Sequence, residues 1–292
     1  MHKSKFLILY SLILIAFTIY VLLDTFVLTS SYEVASSNDY SYEQKETGDI
    51  TSTDNSYEDD NIKINIKEYR ENDTNVYVAD VYIEDINYLK TAFASNTYGK
   101  NVTDKTSNIA EDVNAILAIN GDYYGVQEKG YVLKNGKIYR NSSSGKDDLV
   151  IYENGMWEII NEDDISLEEL LNKGAYNILS FGPSLIKNST ISVTTSDEVA
   201  KSMRSNPRTA VGKISTNHYV FVVSDGRTSE SAGLTLYELA NFMKSLGCTY
   251  AYNLDGGGSS TMYFNGNVVN NPTTNGNRIN ERSVSDIVYI GY

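Results

Sequence analysis

The sequence predicts an α+β protein, with mixed and largely antiparallel sheets and a few helices, preceded by one N-terminal transmembrane helix. Three observations carry this. Residues 62–66 read Ile-Lys-Ile-Asn-Ile and residues 76–83 place Val76, Val78, Asp80 and Tyr82 on one face, the period-two alternation of half-buried strands. Few stretches show helical periodicity, the best being residues 235–246, where Leu236, Leu239, Ala240, Met243 and Leu246 form one stripe. Short strands with so few helices between them do not make a regular βαβ array.

The first element is the apolar run 6–23, broken only by Tyr10, Ser11, Thr18 and Tyr20, with Lys3 and Lys5 before it and Asp24 after it. At a rise of about 1.5 Å per residue it nearly spans a hydrocarbon core of about 30 Å. The lysines place the N-terminus inside, and no small-x-small cleavage site follows closely. An uncleaved anchor in the cell membrane, with the folded body outside, is therefore expected. Residues 1–29 form the cytoplasmic N-terminus and anchor. Residues 30–60, rich in Ser, Asn, Asp, Glu and Thr, read as a disordered acidic linker. Residues 61–292 form the folded body, and no repeat of fixed period interrupts it.

Within that domain a short amphipathic helix at 107–114 feeds an apolar strand at 115–119, which ends in Asn120-Gly121-Asp122-Tyr123-Tyr124-Gly125. Ser166 and Glu169 form a capping-box pattern, and Gly174 closes that helix. Thr235 and Glu238 repeat the pattern ahead of the helix that Gly247 stops. Residues 251–254 then form a buried strand delivering Asp255, and Asn265-Gly266-Asn267 makes a hairpin turn between 262–264 and 268–269.

Composition narrows the chemistry. Apolar residues make up 41% and aromatic residues 11%, too many for a disordered chain. A formal net charge of -14 argues against nonspecific nucleic-acid binding, which needs a clustered basic surface. The single cysteine, Cys248, allows no internal disulfide and reads as a small buried residue. His2 lies beside the anchor and His218 enters a strand, so multi-histidine zinc sites and Ser-His-Asp triads have little to rest on. Carboxylates and arginines must carry the polar chemistry. No metal motif is evident and no cofactor is expected, although clustered Asp and Asn oxygens could hold Ca²⁺.

The most informative run is Asn253-Leu254-Asp255-Gly256-Gly257-Gly258-Ser259-Ser260, which sets one carboxylate and a hydroxyl pair around three glycines. Glycines so placed allow a tight turn or a ligand lying against backbone. Three apolar strands end in loops bearing Asp122, Asp225 and Asp255, which suggests one rim where carboxylates converge; each alone would read as a turn stabiliser. Arg208, after Pro207, and Arg227, in Asp225-Gly226-Arg227, supply guanidinium forks that suit phosphate oxygens, or salt bridges to these same aspartates. Glu238 is explained by capping. Glu281-Arg282-Ser283-Val284-Ser285-Asp286 is either an exposed charged turn or a contribution to the site.

Asn120-Gly121-Asp122-Tyr123-Tyr124, Gly182-Pro183-Ser184-Leu185, Pro207-Arg208-Thr209-Ala210-Val211-Gly212, Asp225-Gly226-Arg227, Gly233 to Ala240, Asn253 to Ser259 and Glu281-Arg282-Ser283-Val284 occur in one order. In that combination residues 115–292 resemble the phosphodiester glycosidase family. The resemblance implies an α+β catalytic domain that hydrolyses a sugar-1-phosphodiester, releasing free sugar and a phosphomonoester. It also implies catalytic Asp255, Asp225 and Glu281, with Asn120, Asp122, Arg208, Thr209, Arg227, Gly256, Gly257, Gly258, Ser259 and Arg282 binding substrate. Asp122 stands within the Asn-Gly segment at a position where the family varies.

On physical grounds the phosphodiester leaves as a weakly basic anion, a charge that arginine can match. The sugar develops oxocarbenium character that a carboxylate can stabilise while another activates water. Asp255 is expected at the anomeric carbon or as base, with Asp225 or Glu281 as partner and Arg208, Arg227 or Arg282 on phosphate. The expected substrate is a glycosyl phosphodiester or phosphoglycan of the cell envelope or exopolysaccharide. The rival readings are a noncatalytic glycan-binding surface module and a glycosyl-transferring enzyme of exopolysaccharide assembly.

Overall fold

The computed structural model describes residues 2–32, 48–196, 205–274 and 278–292. Two large antiparallel sheets stack at its centre. One has nine strands in the order Thr190–Ile191, Ser184–Lys187, Tyr250–Asn253, Arg208–Ser215, His218–Ser224, Thr74–Ile83, Ile62–Glu71, Ser56–Glu58 and Thr51–Ser52. The other has five, in the order Asn267–Val268, Met262–Phe264, Leu117–Asn120, Asp286–Ile290 and Leu89–Phe93. A smaller three-stranded sheet carries Asp147–Tyr152 between Trp157–Asn161 and Ala175–Leu179.

The main core fills the space between the large sheets. Ile64, Val81, Phe221 and Val223 from one meet Leu117, Ile119, Val288 and Ile290 from the other, all essentially inaccessible to solvent. Alternate residues point the other way: Val220 and Val222 join Val76, Val78 and Ala210 beneath the helix Leu236–Ser245. That second cover explains why residues 219–223 read as an unbroken apolar run, since both faces of the strand are buried. The face of Thr74–Ile83 that begins with Val76 and Val78 runs out past the helix to Asp80 and Tyr82. There His218 stacks on Tyr82 at 3.9 Å and its Nε2 lies 2.5 Å from Asp80 Oδ1. The outer face of the five-stranded sheet packs on the helix Thr106–Asp112 through Ile109, Ala110, Ala118 and Ile287.

Both capping boxes form, at Ser166 with Glu169 and at Thr235 with Glu238. The Asn265-Gly266 turn takes positive φ at both residues, 48° and 86°, as a tight hairpin requires. Cys248 is buried, and burial pushes its thiol up to about 12.

The stretch 30–60 is more structured than its composition suggests. Residues 33–47 lie outside the described residues, but Ser30–Ser31 pairs with Gly99–Lys100, and Thr51–Ser52 with Ser56–Glu58 extends the nine-stranded sheet. The physical reason is local: Asp59 accepts from the Tyr57 and Tyr292 hydroxyls at 2.7 and 2.6 Å and from the amides of Asn61 and Ile62 at 2.8 Å each. These bonds hold an acidic segment against the sheet, so ordered structure begins before Ile62. The N-terminal helix His2–Phe26 includes a span, Lys5–Phe26, with mean hydropathy 2.7, long and apolar enough to cross a membrane.

Thr235→Ala removes the hydroxyl that accepts from Glu238 N at 3.1 Å. The change should lower stability by about 1 kcal/mol, read as a lower urea midpoint with an unchanged slope.

Candidate active site

One end of the nine-stranded sheet gathers the start of Arg208–Ser215 and the ends of His218–Ser224 and Tyr250–Asn253, because antiparallel pairing sets Arg208 opposite Ser224 and Ala210 opposite Asn253. A cavity of about 750 Å³ opens there. Asp255, Gly256, Gly257, Arg208 and Arg227 line it, with Asn253, Phe181 and Pro183 beside them and Lys146 and Asp147 at its exposed side.

Asp255 is held by its backbone. Its amide donates to Gly121 O at 3.3 Å, and its carbonyl accepts from Asn120 Nδ2 at 2.7 Å. Asn120 is fully buried, and its Oδ1 accepts from the equally buried Thr209 hydroxyl at 2.8 Å and from Thr261 N at 3.3 Å. Asn120 and Thr209 therefore support the site from behind and do not line it. Asp255 Oδ1 accepts from Gly256 N at 2.9 Å, while Oδ2 is buried without a hydrogen-bond partner. Burial pushes the Asp255 carboxyl above the ordinary range, partly countered by the Ser259 hydroxyl and by Arg282.

The glycines seat two guanidinium groups. At Gly257, where φ is +64°, a Cβ would lie 2.6 Å from Arg227 Nη2 and 3.4 Å from Arg282 Nη2; at Gly258 it would lie 2.9 Å from Arg282 Nη2. Arg227 donates from Nε and Nη2 to Asn206 Oδ1 at 3.3 Å, and from Nη1 to the carbonyls of Thr274 at 3.0 Å and Thr273 at 3.4 Å. Burial and then the neighbouring Arg282 lower its proton affinity. Arg282 Nε is buried without a hydrogen bond. Among the described residues neither Arg227 nor Arg282 has a carboxylate within 4.0 Å. Arg208, which is 6% exposed, donates from Nε to Leu234 O at 2.8 Å. Two adjacent cations with no carboxylate in ion-pair contact among the described residues form a place for an anion.

The other expected carboxylates are used elsewhere. Asp225 is buried and turned away from the cavity: Oδ1 accepts from Asn271 N at 2.8 Å and Asn270 Nδ2 at 3.1 Å, and Oδ2 from Asn271 Nδ2 at 3.3 Å and the Tyr77 hydroxyl at 3.4 Å. It thereby fixes the segment that brings the Thr273 and Thr274 carbonyls to Arg227. Glu281 accepts from Ser107 N at 3.0 Å and Ser107 Oγ at 2.6 Å, capping from a distance a helix whose own N-cap, Lys105, makes no side-chain cap bond. Asp122 is 1% exposed and meets Lys134 Nζ at 2.8 Å and Ser180 N at 3.0 Å. The charged turn 281–286 ends in a fully buried Asp286, 3.1 Å from the same ammonium, so it is not an exposed turn at that residue. Ser259 is buried behind the glycine turn.

Sequence reasoning did not single out Phe181, Asp147 or Asn253 as site residues, though Gly182-Pro183 and the run opening at Asn253 pointed to two of these places. Lys134, in the short strand Val132–Lys134, carried no signal of its own.

The fold and cavity define an α+β protein built on two large stacked sheets, with an arginine-rich site at one sheet end. The phosphodiester glycosidase family model matches residues 113–291, more than half of the chain, and the protein belongs to that family. The chain is 28% identical over 204 residues to the SPbeta prophage-derived uncharacterized protein YomE of Bacillus subtilis, a match covering 68% of this chain and 31% of that protein. It is 41% identical over 66 residues to mouse N-acetylglucosamine-1-phosphodiester alpha-N-acetylglucosaminidase, covering 23% of this chain and 13% of that enzyme. The chain thus spans less than a third of the length of these curated relatives. The catalytic domain of the zebrafish N-acetylglucosamine-1-phosphodiester alpha-N-acetylglucosaminidase, auto-inhibited by its pro-peptide, superposes with a TM-score of 0.62 at 19% identity over 91% of this chain and 88% of that one. A hypothetical protein from Synechocystis gives 0.58 at 15% identity, over 79% and 62% of the two chains. At such identities the likeness speaks for the fold.

Asp225→Asn would face an amide group toward donors that now meet a carboxylate. Stability should fall by about 1–3 kcal/mol, measured by denaturant unfolding, with the loss arising in the 270–274 segment as faster amide exchange.

Proposed function

We propose that the protein is a membrane-anchored hydrolase that cleaves a sugar-1-phosphodiester in cell-envelope or exopolysaccharide glycans. The observation that carries this reading is the pair Arg227 and Arg282 seated on the Gly257-Gly258 turn beside Asp255. The C1–O bond breaks with its electron pair going to the phosphate oxygen, whose charge the guanidinium groups match. Water adds at C1, yielding free sugar and a phosphomonoester. Asp255, in its ionised form, works on the sugar side, where positive charge develops. Asp147 is the second carboxylate on the cavity wall and the candidate for activating water. Phe181 offers an apolar face for the sugar ring. The apolar helix anchors the chain, and Lys3 and Lys5 set its N-terminus inside.

Incubating the full chain in detergent with an N-acetylglucosamine-1-phosphodiester should release free sugar. Asp255→Asn should abolish release while circular dichroism and melting stay as in the wild type; a fully active variant would remove Asp255 from the chemistry. Binding without turnover would instead favour a glycan-holding module, and a new glycoside in place of free sugar would indicate transfer. Arg282→Ala should lower kcat/KM by about 10²–10³. Because burial raises the Asp255 carboxyl, activity should fall on acidification at a higher pH than an ordinary carboxylate would give, as the group takes up its proton.

A further inference from the structure

Behind the cavity lies a set of buried ionisable groups that the proposed reaction does not use. Lys134 is 2% exposed, and its ammonium lies 2.8 Å from Asp122 Oδ2 and 3.1 Å from Asp286 Oδ2. Asp122 N donates to Asp286 Oδ1 at 3.1 Å, and Gly121 N donates to Asp286 O at 2.8 Å. Gly121 in turn accepts the amide of Asp255, so the carboxylate pair is one residue removed from the backbone contact of the candidate catalytic group. A Cβ at Gly121 would collide with the Asp286 carboxylate, which keeps the layers this close. Asp122 also bonds Ser180 N, directly before Phe181 in the opposite wall.

We infer that Lys134 is a positioning residue: by cancelling the Asp122 charge it keeps Asp255 ionised and holds the two cavity walls in register. This rests on the proposed role of Asp255. A buried ammonium shared by two carboxylates leaves one net negative charge, and the chain divides it unequally. Burial alone would raise Asp122, but Lys134 overrides this and holds it below the usual range; burial and the Asp122 charge push Asp286 up to about 7. Asp122 is thus the persistent anion, and it acts on Asp255 in the direction that favours protonation. The other charged groups facing Asp255 are Arg208, Arg227, Lys146 and Asp147 on the cavity wall and Arg282 across the glycine turn. Those around Asp122 are Asp286, Lys134 and the buried Asp148 with its partner Glu162. Tyr124 and Tyr252 stay neutral, since burial raises both. Among all of these, Lys134 is the cation bonded to Asp122.

The test is the pH profile of kcat/KM, with the titration of the Asp255 carboxylate followed in parallel by ¹³C NMR and assigned by its loss in Asp255→Asn. Lys134→Met leaves Asp122 and Asp286 to share one proton and one uncompensated negative charge, so it should move both midpoints up by about one pH unit, and adding Asp122→Asn to it should bring them back. A structural role alone would scale the rate at every pH and leave the midpoints in place, and that result in folded Lys134→Met overturns the inference. Should Lys134→Met not fold, Asp122→Asn alone should move the Asp255 midpoint down, and an unmoved midpoint again overturns it. If the wild type releases no sugar, the functional reading falls, while the NMR titration still decides what Lys134 does to Asp255.

Discussion

The structure depends on how closely two guanidinium groups approach one backbone turn. Arg227 and Arg282 lie so close to Gly257 and Gly258 that a Cβ at either glycine would come within 3.0 Å of a guanidinium nitrogen. Burial disfavours a charged guanidinium and a like charge beside it repels, and Arg227 shows both, burial first, in its lowered proton affinity. The arrangement holds because much of the surrounding sequence serves it. Arg227 sits at positive φ, 63°, with its guanidinium clasped by Asn206 and the Thr273 and Thr274 carbonyls. Arg282 is fixed by its amide on Gly258 O at 3.2 Å and by Glu281, which is tied to the helix Thr106–Asp112. Cations so constrained are ready for an anion without reorganisation, which is the form in which electrostatic stabilisation is most effective.

The same principle sorts the carboxylates. Asp122, Asp225 and Asp255 all follow apolar strands, yet only Asp255 lines the cavity. Asp225 accepts from three donors of Asn270 and Asn271, in the loop that supports Arg227, and from the Tyr77 hydroxyl. Asp122 shares Lys134 with Asp286. A little further from the cavity, burial and then the nearby Glu162 push Asp148 up to about 9, which favours its neutral form. Burying charge is costly unless it is paired and hydrogen-bonded. Among the described residues Asp122 and Asp286 share a cation and Asp225 has a set of donors, while Asp255 Oδ2 is left without a hydrogen-bond partner beside the cavity.

Much of this architecture was legible in the sequence. Period-two segments, the two capping boxes and the Asn265-Gly266 turn are local signals, and local chemistry decided them. The Gly256-Gly257-Gly258 run marked the site because close approach leaves a trace in residue type. The hydrogen-bond partners of Asp225 and Glu281 were not legible, since a carboxylate in a loop looks the same whether it faces a cavity, a neighbouring loop or a distant helix end. Lys134 was invisible for the same reason: its partners stand 12 and 152 positions away along the chain, and only the stacking of the sheets brings them together. The pairing of Thr51–Ser52 and Ser56–Glu58 was not legible, because strand pairing and the bonds to Asp59 hold a segment whose composition otherwise suggests disorder.

The most direct test of the anion site is a crystal structure with a nonhydrolysable sugar-1-phosphonate bound. The account predicts phosphonate oxygens within hydrogen-bond distance of Arg227 and Arg282, with the anomeric carbon facing Asp255. A phosphonate bound elsewhere, with both guanidinium groups untouched and Asp255 remote from the sugar, would contradict it.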